Sequence, residues 1–184
     1  MRLTALILVI SLAGAAQAVP QCKTPEGAGI VYGSELGVGI GAPKGWIFDS
    51  ESAVSQGLYA VMYPEGSSWA DAREVMYVNV ARLDEGQTVE SFISEDVASF
   101  REKAPDLVVK VAEPIAIASG ANAEVRHFSG DSWGNHEAVA YIASGSSVAI
   151  YVLSCRSKGG FEKSLPAFQE MVGNSFLAAM AFEK

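Results

Sequence analysis

The chain holds two histidines, His127 and His136, on either side of one polar run, Ser129-Gly130-Asp131-Ser132-Trp133-Gly134-Asn135. Those residue types at that spacing could bind a metal. A hairpin centred on Asp131-Ser132 makes the histidines cross-strand partners, with Cβ atoms roughly 4.5–5.5 Å apart. Two imidazoles plus a carboxylate from Asp131 or Glu137 would then suit zinc or copper. The competing reading is a surface hairpin with two half-buried rings. A second cluster lies in the polar loop 65–74, which carries Ser67, Ser68, Trp69, Asp71 and Arg73. A tryptophan at a loop tip either tucks under the domain as local core or serves as a binding anchor. Trp133, in the turn between the histidines, poses the same choice. If both face one end of the sheet, Trp69, Asp71, Arg73 and Trp133 form one binding patch.

Catalytic chemistry is harder to assemble. No Gly-x-Ser-x-Gly elbow occurs, so no serine is presented on a nucleophile turn. Ser67, His127 and Asp71 supply the residue types of a triad, with no local motif to unite them. A hydrolase would need a loop-lined pocket placing Ser67 or Ser132 within hydrogen-bond reach of a histidine. Glu95 and Asp96 are adjacent on the solvent face of a helix rather than facing each other, which is not a glycosidase pair. The glycines of Gly39-x-Gly41-x-x-x-Gly45 do not open a helix and run through Pro43-Lys44-Gly45-Trp46, a turn, so they are not a nucleotide loop. No enzymatic activity and no cofactor are expected.

The formal net charge of −8 repels phosphate backbones and anionic lipid, which argues against nucleic-acid and membrane-surface partners. Arg2, the apolar run Leu3 to Ala13 and the small-x-small site Ala16-Gln17-Ala18 make residues 1–18 a cleaved signal peptide. Its apolar part falls short of the roughly 20 residues that a spanning helix needs. Val19-Pro20-Gln21 precedes Cys22 without the small residue that lipid attachment requires, so no lipid anchor is expected. Residues 19–184 are then one exported domain, periplasmic or secreted. In that oxidising compartment Cys22 and Cys155 suit a disulfide, on the order of 4–5 kcal/mol in the chain-entropy model. The alternative is a buried thiol at 155 and a free one at 22.

The elements that must position these residues follow from apolar patterning. Ala138 to Ala143 and Val148 to Cys155 are apolar at successive positions rather than alternate ones, as strands covered on both faces are. Gly145 between them supplies hairpin chemistry, so the pair belongs at a sheet centre. Thr88 to Lys103 reads as an amphipathic helix, with Val89, Phe92, Ile93, Val97 and Phe100 on one face and Thr88 as its cap. A glycine-rich hairpin spans 28–41, its glycines marking a bend or the close approach of something bulky. Further strands are expected at 58–63, 75–82, 107–113, 115–118 and 123–128, with a turn at Pro114. A terminal helix is expected from about 160 to 180, striped by Phe161, Leu165, Phe168, Val172 and Phe176. Pro166 is tolerated only near a helix start, which makes Ser164 the expected cap.

Three landmarks in that order carry a family resemblance: Ala42-Pro43-Lys44-Gly45-Trp46, the strand Val75-Met76-Tyr77-Val78, and the ending Phe161-Glu162-Lys163-Ser164-Leu165-Pro166-Ala167-Phe168 through Val172 to Ser175-Phe176. Together they resemble the PsbP-like α/β/α sandwich, shared with DcrB-like and effector-chaperone domains, over Ala28 to Phe176. The resemblance implies an α+β fold, a single-domain α/β/α sandwich. Its central antiparallel sheet has about six to seven strands, with helices on both faces. It brings no catalytic residues, and its members mostly bind or assist other proteins. The resulting expectation is a non-enzymatic periplasmic or secreted binding or accessory module that recognises a protein partner through its loop tryptophans. The alternative is a small-ligand or metal binder at the His127/His136 hairpin.

Overall fold

A computed structural model describes residues 27–54 and 57–179. The expected signal peptide and Cys22 lie outside the described residues, and so does the disulfide that would use Cys22. The elements run β1 (Ala28–Tyr32), β2 (Leu36–Gly41), β3 (Trp46–Asp49), α1 (Glu51–Val54), β4 (Val61–Pro64), β5 (Glu74–Arg82), α2 (Val89–Lys103), β6 (Val108–Ala116), β7 (Asn122–Ser129), β8 (His136–Ser144), β9 (Ser147–Cys155), α3 (Lys158–Gly173) and β10 (Phe176–Ala179). Seven strands form one antiparallel sheet in the order β3-β4-β5-β9-β8-β7-β6, and β1-β2-β10 form a second, three-stranded sheet. The fold is therefore the expected α+β sandwich. No described helix is long and apolar enough to cross a membrane.

The doubly apolar strands β8 and β9 are central because the sheet is covered on both sides. On one face Met76, Ala138, Ala140, Tyr151 and Leu153 pack against Phe168, Met171 and Val172 of α3 and against Val31, Val38 and Ile40 of the small sheet. On the other, Val139, Tyr141, Val148 and Val152 pack against Ile93, Phe92 and Val97 of α2. Burying each large apolar side chain contributes about 1.5–3 kcal/mol. The β8–β9 turn is two residues long, Ser144 pairing with Ser147, and Gly145 takes a φ of 59°. That is the first-position conformation a II′ hairpin turn demands and that a Cβ opposes. Helix α2 starts as its sequence predicts: Thr88 accepts from the Ser91 N–H, and Ser91 reciprocates at the Thr88 N–H, 3.0 Å. Its Asp96 accepts a 2.6 Å hydrogen bond from the buried Tyr141 hydroxyl, tying helix to sheet.

The structure corrects the sequence reading at three places. Pro114 is a bulge rather than a turn: β6 is one strand whose register shifts between Ala112 and Ile115. It sits at the sheet edge, where a missing N–H costs no ladder bond. Helix α3 is capped by Ser157, whose hydroxyl accepts from the Gly160 N–H. Ser164 is a buried residue within the helix, and the helix runs on through Pro166. It ends before Asn174, and Phe176 opens β10 instead of completing the stripe. The β4 strand starts only at Val61. The glycine-rich hairpin forms as expected and pairs with β10 in the small sheet. The expected close approach is real there: Phe176 pairs with Gly39, and its ring occupies the space a Gly39 side chain would need.

Candidate functional site

The site lies where β5 begins and β8, β9 and the loops beside them meet. Val75 pairs with Ser154 and Ser154 with Glu137. Strand alternation puts all three on the α2 face, opposite Met76, Leu153 and Ala138. The ladder continues one step past the strands, with the Arg156 N–H donating to the Arg73 carbonyl at 3.0 Å. Arg73 and Arg156 are thus opposed across the β5–β9 pair. They line one cleft of about 230 Å³ with Trp69, Ala72, Val75, Asn135 and Ser154. A neighbouring hollow of about 400 Å³ is lined by Trp133, Asn135 and Arg156, so the two openings adjoin at Asn135 and Arg156.

Each tryptophan loop is held by an aspartate. In the loop 65–73, Asp71 Oδ1 accepts from the Ser68 N–H at 2.7 Å and from its hydroxyl at 2.8 Å. Those bonds, the backbone one first, hold the Asp71 carboxyl below its ordinary range. In the loop 130–135, Asp131 Oδ1 accepts from the Asn135 N–H at 2.7 Å and Oδ2 from the Asn135 side-chain amide at 2.9 Å. Gly130 and Gly134 bend this loop at φ 87° and 74°, backbone that other residues adopt only with strain. Trp69 is half-buried against Ala53, Val61, Tyr63 and Ala72. Trp133 is 78% exposed, the most exposed large apolar side chain among the described residues.

Trp69 and Arg73 line the first opening and Trp133 the second, while Asp71 and Asp131 serve the loops that carry the tryptophans. Asn135, Ser154 and Arg156 were not foreseen. Their signal is the β5–β9 register, which sets Arg156 against Arg73, and a single sequence does not display register. Behind the cleft, Glu137 Oε1 accepts a 2.6 Å bond from the Ser154 hydroxyl. Burial raises the Glu137 carboxyl, the Ser154 bond opposes that shift, and the Asp131 charge adds to it. Burial, with smaller effects from Glu137 and Asp96, also pushes Tyr77 up to about 12.

The histidines stand elsewhere. His136 pairs with Ser129 and His127 with Ala138, so they are diagonal neighbours rather than the cross-strand partners expected; the loop is longer and its centre lies between Ser132 and Trp133. Both rings lie on the α3 face against Phe161, at centroid distances of 5.1 and 6.2 Å. Burial first, then the Lys110 charge, lowers the His127 pKa. Among the described residues no group of three His, Cys, Asp or Glu side chains is placed to hold a metal. The Ser67 hydroxyl donates to the Pro64 carbonyl at 2.7 Å rather than to a histidine. Cys155 is fully buried, and as a thiol it is pushed up to about 12 by burial, with Glu74 and Glu137 contributing. A thiol held there is protonated and a poor nucleophile.

The chain matches no protein-family model and no curated protein. In fold it is similar to the solution structure of cyanobacterial PsbP (CyanoP) from Synechocystis sp. PCC 6803, at 10% identity and a TM-score of 0.49, covering 89% of this chain and 100% of that one. It is also similar to the crystal structure of LpqN, described as involved in cell envelope biogenesis of Mycobacterium tuberculosis, at 12% identity and a TM-score of 0.48, covering 82% of this chain and 90% of that one. A shared fold does not fix function, which has to be argued from the site.

Proposed function

We propose that this chain is a non-enzymatic, exported binding or accessory module that recognises a protein partner at the cleft between Trp69 and Trp133. The observation that carries this reading is the contrast between a 78% exposed Trp133 and the fixed loop that presents it. Exposed indole leaves apolar surface in water, and Asp131 and two glycines fix the loop that presents it. Tryptophan and arginine are the side chains that most often dominate protein interfaces, and here Trp69, Trp133, Arg73 and Arg156 surround adjoining hollows. Export rests on residues 1–18.

A photo-crosslinking amino acid placed at position 132, beside Trp133 on the exposed face of its loop, in cells that make the protein, tests this. A discrete protein adduct at 132 that is missing when the same group is placed at Val111, on the far edge strand, is the expected result. Identical adduct patterns at 132 and 111, or none at 132, would remove the basis for the reading.

A further inference from the structure

The charge arrangement of the cleft says what kind of segment it takes. Arg73 and Arg156 are opposed across the β5–β9 ladder and both line the cleft. Like charges directly opposite one another across a strand pair are destabilising, so the pair carries a cost unless something neutralises it. The acids nearby are otherwise engaged. Asp71 is held by Ser68, Asp131 by Asn135 and Glu137 by Ser154. The Glu74 carboxylate lies against Gly160 in the first turn of α3, where the helix dipole favours it. Among the described residues the ion pairs are Arg126 with Glu124 and Lys158 with Glu162; neither cleft arginine is in one.

Resting on the binding reading above, we propose that the partner segment is an acidic peptide. One of its carboxylates sits between the Arg73 and Arg156 guanidiniums, and a large apolar side chain beside it enters the recess formed by Trp69, Ala72 and Val75. Guanidinium and carboxylate match as a planar, two-bond fork, and a volume of about 230 Å³ has room for a single large side chain. The chain's net charge of −8 opposes an acidic segment over most of the remaining surface, so the arginine pair also fixes where such a segment docks.

Panning a random-peptide phage library on the full chain, then measuring the enriched peptides by fluorescence anisotropy, tests the proposal. Enriched peptides should carry Asp or Glu next to a large apolar residue. Replacing that acid by its amide should weaken binding to the wild-type chain at least tenfold, a readout that needs no protein variant. The double variant Arg73→Gln/Arg156→Gln should weaken it similarly while keeping or raising the thermal midpoint, because the like-charge pair is gone. Peptides that are neutral or basic, lose binding with Trp133→Ala and ignore the arginine variant would overturn the acidic-peptide proposal and leave the binding module standing. A library yielding no peptide sensitive to Trp133→Ala would overturn both.

Discussion

Trp69 and Trp133 come from polar loops of similar composition and reach the same end of the sheet, but they are held in opposite ways. Trp69 lies against Ala53, Val61, Tyr63 and Ala72, so its loop closes onto the domain. Trp133 stands on a loop closed by Asp131 and Asn135, which stabilises itself and leaves the indole in solvent. One tryptophan builds the wall of the cleft, and the other extends from its rim. Exposure becomes informative when the backbone beneath it is fixed, because a fixed exposed side chain has been placed rather than left over.

Trp69→Ala should show the largest effect on stability, a loss of about 2–3 kcal/mol in urea unfolding, somewhat below the usual figure for a fully buried aromatic. A loss under about 0.5 kcal/mol, the range of unremarkable surface substitutions, would erase the distinction between the two residues. Asp131→Ala should cost about 1 kcal/mol through its lost hydrogen bonds, with faster amide exchange at Asn135; unchanged exchange would mean that the loop does not depend on this aspartate.

Two pH effects follow from the carboxyls around the cleft. The folded-state pKa of Glu137 is raised, so its ionised form is disfavoured in the fold and costs stability above that pKa. Glu137→Gln, which retains an acceptor for Ser154, should therefore raise the thermal midpoint at pH 7 and lose this advantage as pH falls and the wild-type carboxyl protonates. A gain that persists at acid pH would point to packing instead. Asp71 has the opposite sign. Its folded-state pKa lies below the ordinary 3.8, so its support of the Trp69 loop is complete above that value and is lost as pH falls through the lowered one. Tryptophan fluorescence should report this acid transition, and Asp71→Asn should abolish it. The smallest stability effect belongs to Trp133→Ala, within about 0.5 kcal/mol of wild type.

The parts of the fold that could be read from sequence were those set by local pattern. The doubly apolar runs of β8 and β9 announce a covered sheet centre, and Thr88 with the apolar face of α2 announces that helix. Phe176 was misread because Phe161, Phe168, Val172 and Phe176 keep helical spacing across Asn174, where the chain in fact turns into β10. Only the pairing of Phe176 with Gly39, a long-range contact, separates the two readings. The site divides likewise. The tryptophans were visible as loop aromatics, whereas Arg156 gains meaning only from the register that opposes it to Arg73. Displacing the hairpin centre from Asp131-Ser132 to between Ser132 and Trp133 took His127 and His136 out of direct opposition, and both stack on Phe161.

The central claim is that Trp133 is held out for a partner and not for the fold. Isothermal titration of the partner captured from position 132 against wild type and Trp133→Ala tests it most directly. The account predicts a dissociation constant at least tenfold higher for the variant, with the thermal midpoint unchanged. An unchanged dissociation constant would contradict it.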